Sequence, residues 1–135
     1  MPAPVSRWLL DGLLSVEGFD TALAEGVMLL TPFTADAEDE LTQNFVKKYT
    51  EKFGETPNQF AADAYDGIYA IKAAAEKAGL TPDMSVSDMC EAMKTAMTEI
   101  TIDGLTGEGI TWTADGEPSK APKAMVIKDG AYTAM

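Results

Sequence analysis

The 135-residue chain contains no histidine. Without imidazole it lacks the commonest general base, the usual zinc ligand and the usual middle member of a nucleophile triad, which excludes much hydrolytic and metal-assisted chemistry. Cys90 is the single cysteine, so neither an internal disulfide nor a thiolate cluster can form. Positive charge is scarce: 10 basic residues stand against 22 acidic ones, a formal net charge of −12. Such a surface repels polyphosphates and anionic bilayers, and no nucleic acid is expected as a partner. No apolar run approaches the roughly eighteen residues of a membrane span. The opening MPAPVSRWLL has neither a basic start with a long apolar stretch nor a cleavage box, so no signal peptide is expected in this chain. Walker loops, dinucleotide fingerprints, calcium loops and internal repeats are also missing, and no cofactor or metal is expected.

What is present has the composition of a globular α/β domain, with 46% hydrophobic and 24% charged residues. The stretch from Thr56 to Gly79 has the longest unbroken helical pattern. Pro57 suits a first helical position and Gly79 a terminating cap, with Pro82 beyond it. Ala61, Ala64, Ile68, Ile71, Ala75 and Ala78 recur at steps of three and four, which predicts a buried central helix packed through that stripe. Phe60, Tyr65 and Tyr69 add aromatic bulk near its start.

Either side of this helix the pattern is shorter. Glu17 to Glu25 predicts one or two helical turns ending at Gly26, and Leu9 to Leu14 a short strand or exit loop. The apolar run Val27 to Thr31, closed by Pro32, predicts a buried parallel strand. Asp36 is placed to cap a helix from about Ala37 to Phe53, with Leu41, Phe45, Val46, Tyr49 and Phe53 as its core stripe and Gly54 as its stop. Ser85 or Ser87 caps another, with Val86, Met89, Cys90, Met93, Met97 and Ile100 on one side; Cys90 is expected there as a buried spectator thiol. From Ile100 the pattern turns to short β runs punctuated by Asp103-Gly104, Asp115-Gly116 and Asp129-Gly130, with Lys120 to Lys123 as a linker, so the C-terminal tail is β-rich.

Three blocks in order resemble the type I periplasmic binding proteins, the branched-chain amino-acid (Leu/Ile/Val-binding-like) receptors of ABC transporters. They are LAEGVMLLTPF from Leu23 to Phe33, FVKKYTEKFGETPNQFAADAYDGI from Phe45 to Ile68, and LTGEGITWTADGEPSKAPKAMVIKDGAY from Leu105 to Tyr132. The resemblance covers about Asp11 to Met135 and implies a C-terminal, truncated piece of that fold, whose two lobes are each a three-layer αβα sandwich. It assigns 9–32 and 122–135 to the second lobe and 33–121 to the first. It also implies an extracytoplasmic parent, periplasmic or lipid-anchored, that delivers a small amino acid to a membrane permease.

Two site residues follow from the same likeness. Phe60 matches an aromatic that faces the family's ligand cleft; read from the pattern alone it is equally a core aromatic. Asp11, in LLDGLLSVEGFD, is similar to the acid that pairs with a ligand's ammonium group. It lies about three positions closer to Glu25-Gly26 than that acid does, which puts Trp8 at the family position and makes a surface-turn aspartate the competing reading.

The sequence thus supports a non-catalytic solute-binding module. The alternative is a binding-incompetent remnant that self-associates, since leaving even about 1,000 Å² of apolar surface bare forfeits on the order of 25 kcal/mol. A homodimer is the expected assembly. An enzyme using Asp63 and Asp66, three apart on the helix, is the remaining class, but nothing nearby supplies an oxyanion hole or matched partner, and both are expected to be solvated.

Overall fold

The computed structural model describes Leu14 and residues 16–135. The chain divides into two compact units, residues 1–59 with 121–135, and residues 60–120.

The first unit is built on a three-stranded antiparallel sheet of order β1-β4-β5, with β1 Met28–Thr31, β4 Lys123–Lys128 and β5 Ala131–Ala134. Leu29 lies opposite Met125, and together with Ile127 and Ala24 they form a buried cluster covered by Leu14, Phe19, Val27 and Tyr132. The expected parallel pairing of β1 is therefore corrected to antiparallel. Leu30 is 49% exposed between buried Leu29 and Thr31, so only one face of the strand is covered. A short apolar run records burial but not the direction of its partner, which here arrives from the far end of the chain. A 3-10 turn, Thr21–Ala24, capped by the Asp20 carboxylate, precedes β1 and is a single helical turn inside the expected Glu17 to Glu25.

Helix α1 runs Glu40–Phe53 and is capped by Asp39, not Asp36. The Asp39 carboxylate accepts the Thr42 N–H at 2.8 Å, and residues 34–37 form a separate turn closed by Ala37 N–H donating to Thr34 O. Charge and a hydrogen-bonding side chain are shared by every acid in this run, so composition alone does not choose among them. Edge-to-face and tilted contacts link Phe33, Phe45, Tyr49 and Phe53 in a chain. Of the expected stripe, Leu41 and Phe53 are exposed, while Thr42 is buried.

The second unit holds α2 (Gln59–Ala78, its first residue still in the first unit), α3 (Val86–Met97) and the hairpin of β2 (Ile102–Gly104) and β3 (Gly107–Ile110). Helix α2 starts two residues after Pro57 and closes with Gly79 and Leu80 donating to Glu76 O and Ala75 O, the paired bonds of a Schellman end. Its buried residues are Ala62, Asp66, Ala70 and Ala74, one row at steps of four, whereas Ile68 and Ile71 are exposed. The stripe predicted from the isoleucines is thus the wrong face. Alanines allow close backbone approach, and Ala74 uses it to pack with Ala96 and Ile100 beside Met93, Met97 and Trp112. Ser85 caps α3 by accepting the Asp88 N–H. Cys90 is exposed, contrary to expectation, because α3 packs through its C-terminal half and leaves Val86 and Cys90 uncovered. Residues 111–119 fold back on themselves through a Trp112–Pro118 bridge.

Candidate functional site

The first unit holds a cleft of about 470 Å³ where three segments meet. The end of β1 and the following loop contribute Thr31 and residues 33–36, the approach to α2 contributes residues 56–59, and the C-terminal hairpin contributes Gly130 and Tyr132 beside Leu14. The sequence builds each wall locally. Thr31 is buried, and its hydroxyl donates to Phe33 O at 3.0 Å while accepting the Phe33 N–H at 3.3 Å, so the loop turns immediately after Pro32. Pro57 is likewise buried and fixes the approach to α2. The Tyr132 hydroxyl accepts the Leu14 N–H at 3.3 Å.

Chemically the lining is mixed. Phe33, Leu14, Pro57 and the Tyr132 ring supply apolar surface; Thr34, Thr56, Asn58 and Gln59 supply neutral donors and acceptors. Asp36 is the one charged residue among the described lining residues, and it takes part in none of the ion pairs among the described residues. A cleft of this size and character suits a small amphipathic solute.

The structure describes one of the two residues assigned by resemblance. Asp11 lies outside the described residues, as do residues 9–13 of the segment expected to be a short strand or exit loop. Phe60 occupies the first turn of α2, belongs to the second unit and is 57% exposed, so it is not the core aromatic of the competing reading. The loop residues of the cleft were not singled out in sequence. Two Thr-Pro steps, Thr31-Pro32 and Thr56-Pro57, are the signal that marks both loops.

In the second unit Asp63 and Asp66 are not solvated equivalents. Asp66 is buried; its Oδ1 accepts the Leu105 N–H at 2.8 Å, and its Oδ2 accepts the Thr106 N–H at 2.8 Å and the Thr106 hydroxyl at 2.6 Å. These bonds hold the two-residue turn of the β2–β3 hairpin, so the turn falls at Leu105-Thr106 and not at Asp103-Gly104. A Cβ on Gly104 would sit 2.5 to 2.6 Å from the carboxylate, which is why that neighbour is glycine. Asp63 pairs instead with Lys120 at 2.7 Å. Both acids are engaged by other partners, and the geometry does not join them as an acid–base pair. On the same helix Tyr65 donates its hydroxyl proton to Tyr69; that bond, then burial, pushes its pKa up to about 12.

The profile of the periplasmic binding proteins matches residues 12–131, nearly the whole chain. The chain belongs to the periplasmic binding protein family. Solved structures carry the same fold. A solute-binding protein of an ABC transporter from R. palustris, in complex with benzoate, superposes with a TM-score of 0.73 at 19% identity, covering 95% of this chain and 34% of that one. An ABC transporter substrate-binding protein from Desulfitobacterium hafniense in complex with Leu gives 0.68 at 21% identity, covering 85% and 33%. The branched-chain amino acid transporter substrate-binding protein of Streptococcus pneumoniae, in complex with isoleucine, gives 0.66 at 22%, covering 84% and 30%. The chain therefore spans about a third of the length of these periplasmic binding proteins. No curated protein sequence matches it. Among the described residues no helix is long and apolar enough to cross a membrane.

Proposed function

We propose that the chain is part of the solute-binding component of an ABC transporter for branched-chain or related amino acids, without chemistry of its own. The observation that carries this reading is the family match over residues 12–131 together with a mixed apolar and polar cleft in the first unit. Relatives of the same fold hold leucine, isoleucine or benzoate. On this reading the whole protein works outside the cytoplasmic membrane and hands its solute to a permease. Residues 9–32 and 122–135 belong to one lobe and 33–121 to the other, with Phe60 and Asp11 as ligand-facing residues. Equilibrium dialysis of refolded protein against labelled leucine, isoleucine and valine tests it: retention of at least one supports the reading, and retention of none at millimolar solute overturns it for this chain.

A second reading is favoured by the exposed apolar side chains of α2 and α3. Ile68, Ile71 and Val86 are 66%, 55% and 78% exposed. They suit a module that pairs with a second copy as a homodimer and does not itself bind solute. Sedimentation equilibrium separates the cases: a monomer at micromolar concentration removes this alternative.

A further inference from the structure

We propose that the exposed stripe of α2 is the face through which two copies of this chain pair, antiparallel, about a two-fold axis between Gly67 and Ile68. The inference rests on the homodimer of the second reading and adds its face, direction and register. It makes no use of the first-unit cleft, so solute binding stands or falls apart from it. Phe60, Ala64, Gly67, Ile68, Ile71 and Ala75 share one face of α2 at helical spacing, off the buried row of Ala62, Asp66, Ala70 and Ala74. Phe60, Ile68 and Ile71 are each more than half exposed, and Ala64 and Gly67 are exposed between them. No charged residue shares that face.

The order of large and small side chains along the stripe is what selects a second copy. Antiparallel helices related by a two-fold axis meet in layers, and an axis between residues 67 and 68 sets Phe60 against Ala75, Ala64 against Ile71 and Gly67 against Ile68. Every layer joins a large side chain to a small one, so the layers fill evenly and the backbones come closest at Gly67. A parallel pair would set Phe60 on Phe60 and Gly67 on Gly67, overfilled in one layer and empty in another. The chain's net charge of −12 does not oppose the contact, because the acids flanking the stripe are paired within their own copy, Asp63 with Lys120 and Glu76 with Lys72. Covering the stripe on both copies removes on the order of 1,000 Å² from water, the small end of specific interfaces, which fits a reversible dimer of micromolar affinity.

Sedimentation equilibrium and oxidative cross-linking of the 135-residue chain test the proposal, both with Cys90→Ser so that the exposed native thiol does not compete. Gly67→Cys, at a position where a Cβ meets nothing within one copy, brings two thiols within disulfide reach across the axis. Ala64→Cys leaves them seven residues apart along it, roughly 10 Å at about 1.5 Å per residue and out of reach. The expected result is a dimer at micromolar concentration, with Gly67→Cys cross-linking at least roughly 10-fold faster than Ala64→Cys. Ile71→Glu should weaken association by about 10-fold or more with helix content unchanged, since its carboxylate would be buried without a partner. Ala64→Cys cross-linking as fast as Gly67→Cys, cross-linking at neither, or an unaffected Ile71→Glu variant overturns the α2 seam, while a dimer in sedimentation leaves the second reading standing. A monomer, or an open series of larger species, overturns both.

Discussion

Asp66 shows how a single side chain sets local topology. Its carboxylate satisfies two backbone N–H groups and a hydroxyl in a buried site, and removing it strands those donors without water. Asp66→Ala is therefore expected to cost about 3 kcal/mol in urea unfolding, at the scale of buried donors losing a charged acceptor. Gly104→Ala should destabilise too, because its new Cβ collides with the same carboxylate. The double variant should be less destabilised than the sum of the two, since deleting Asp66 removes the collision; strict additivity would contradict the contact. Tyr65 supplies a spectroscopic counterpart. Its folded pKa of about 12 exceeds the ordinary 10.0, so its contribution to stability is present below pH 10 and is lost as pH rises through about 12. Absorbance titration should show Tyr65 ionising late, and Tyr69→Phe should bring it back toward 10.0.

Elements form where a local rule and a long-range contact agree. The Asp39 cap of α1 holds its carboxyl below the ordinary 3.8, chiefly through the Thr42 N–H. A depressed carboxyl contributes stability that is present above 3.8 and lost as pH falls through the folded value. Asp39→Ala should cost about 1 kcal/mol at neutral pH, with the gap from the parent protein narrowing in acid; a gap independent of pH would exclude the cap. The Asp129-Gly130 turn was readable in advance because two-residue hairpins demand positive φ at both positions, and these residues adopt 51° and 74°. The Ser85 cap and the helical spans of α1, α2 and α3 were readable for the same local reason. Hidden from the sequence were the direction of β1, the buried face of α2 and the turn at Leu105-Thr106. Each depends on a partner far along the chain: β4 for the strand, Ala96 and Ile100 for the alanine row, Asp66 for the turn.

For the whole molecule, family membership was legible because three blocks occur in order across both ends of the chain, so their joint occurrence carries more than any one of them. The site was less legible. A cleft made of Thr31, residues 33–36 and 56–59, Gly130 and Tyr132 assembles only when the C-terminal hairpin pairs beside β1, and no short motif spans it. The net charge of −12 disfavours anionic polymers as partners. The most direct test is the amide spectrum of isotope-labelled, refolded protein titrated with leucine. Saturable shifts clustered at Thr34, Asp36, Thr56, Asn58 and Tyr132, with α3 unmoved, are the predicted result. An unchanged spectrum, or shifts confined to the second unit, would contradict a solute-binding cleft in the first.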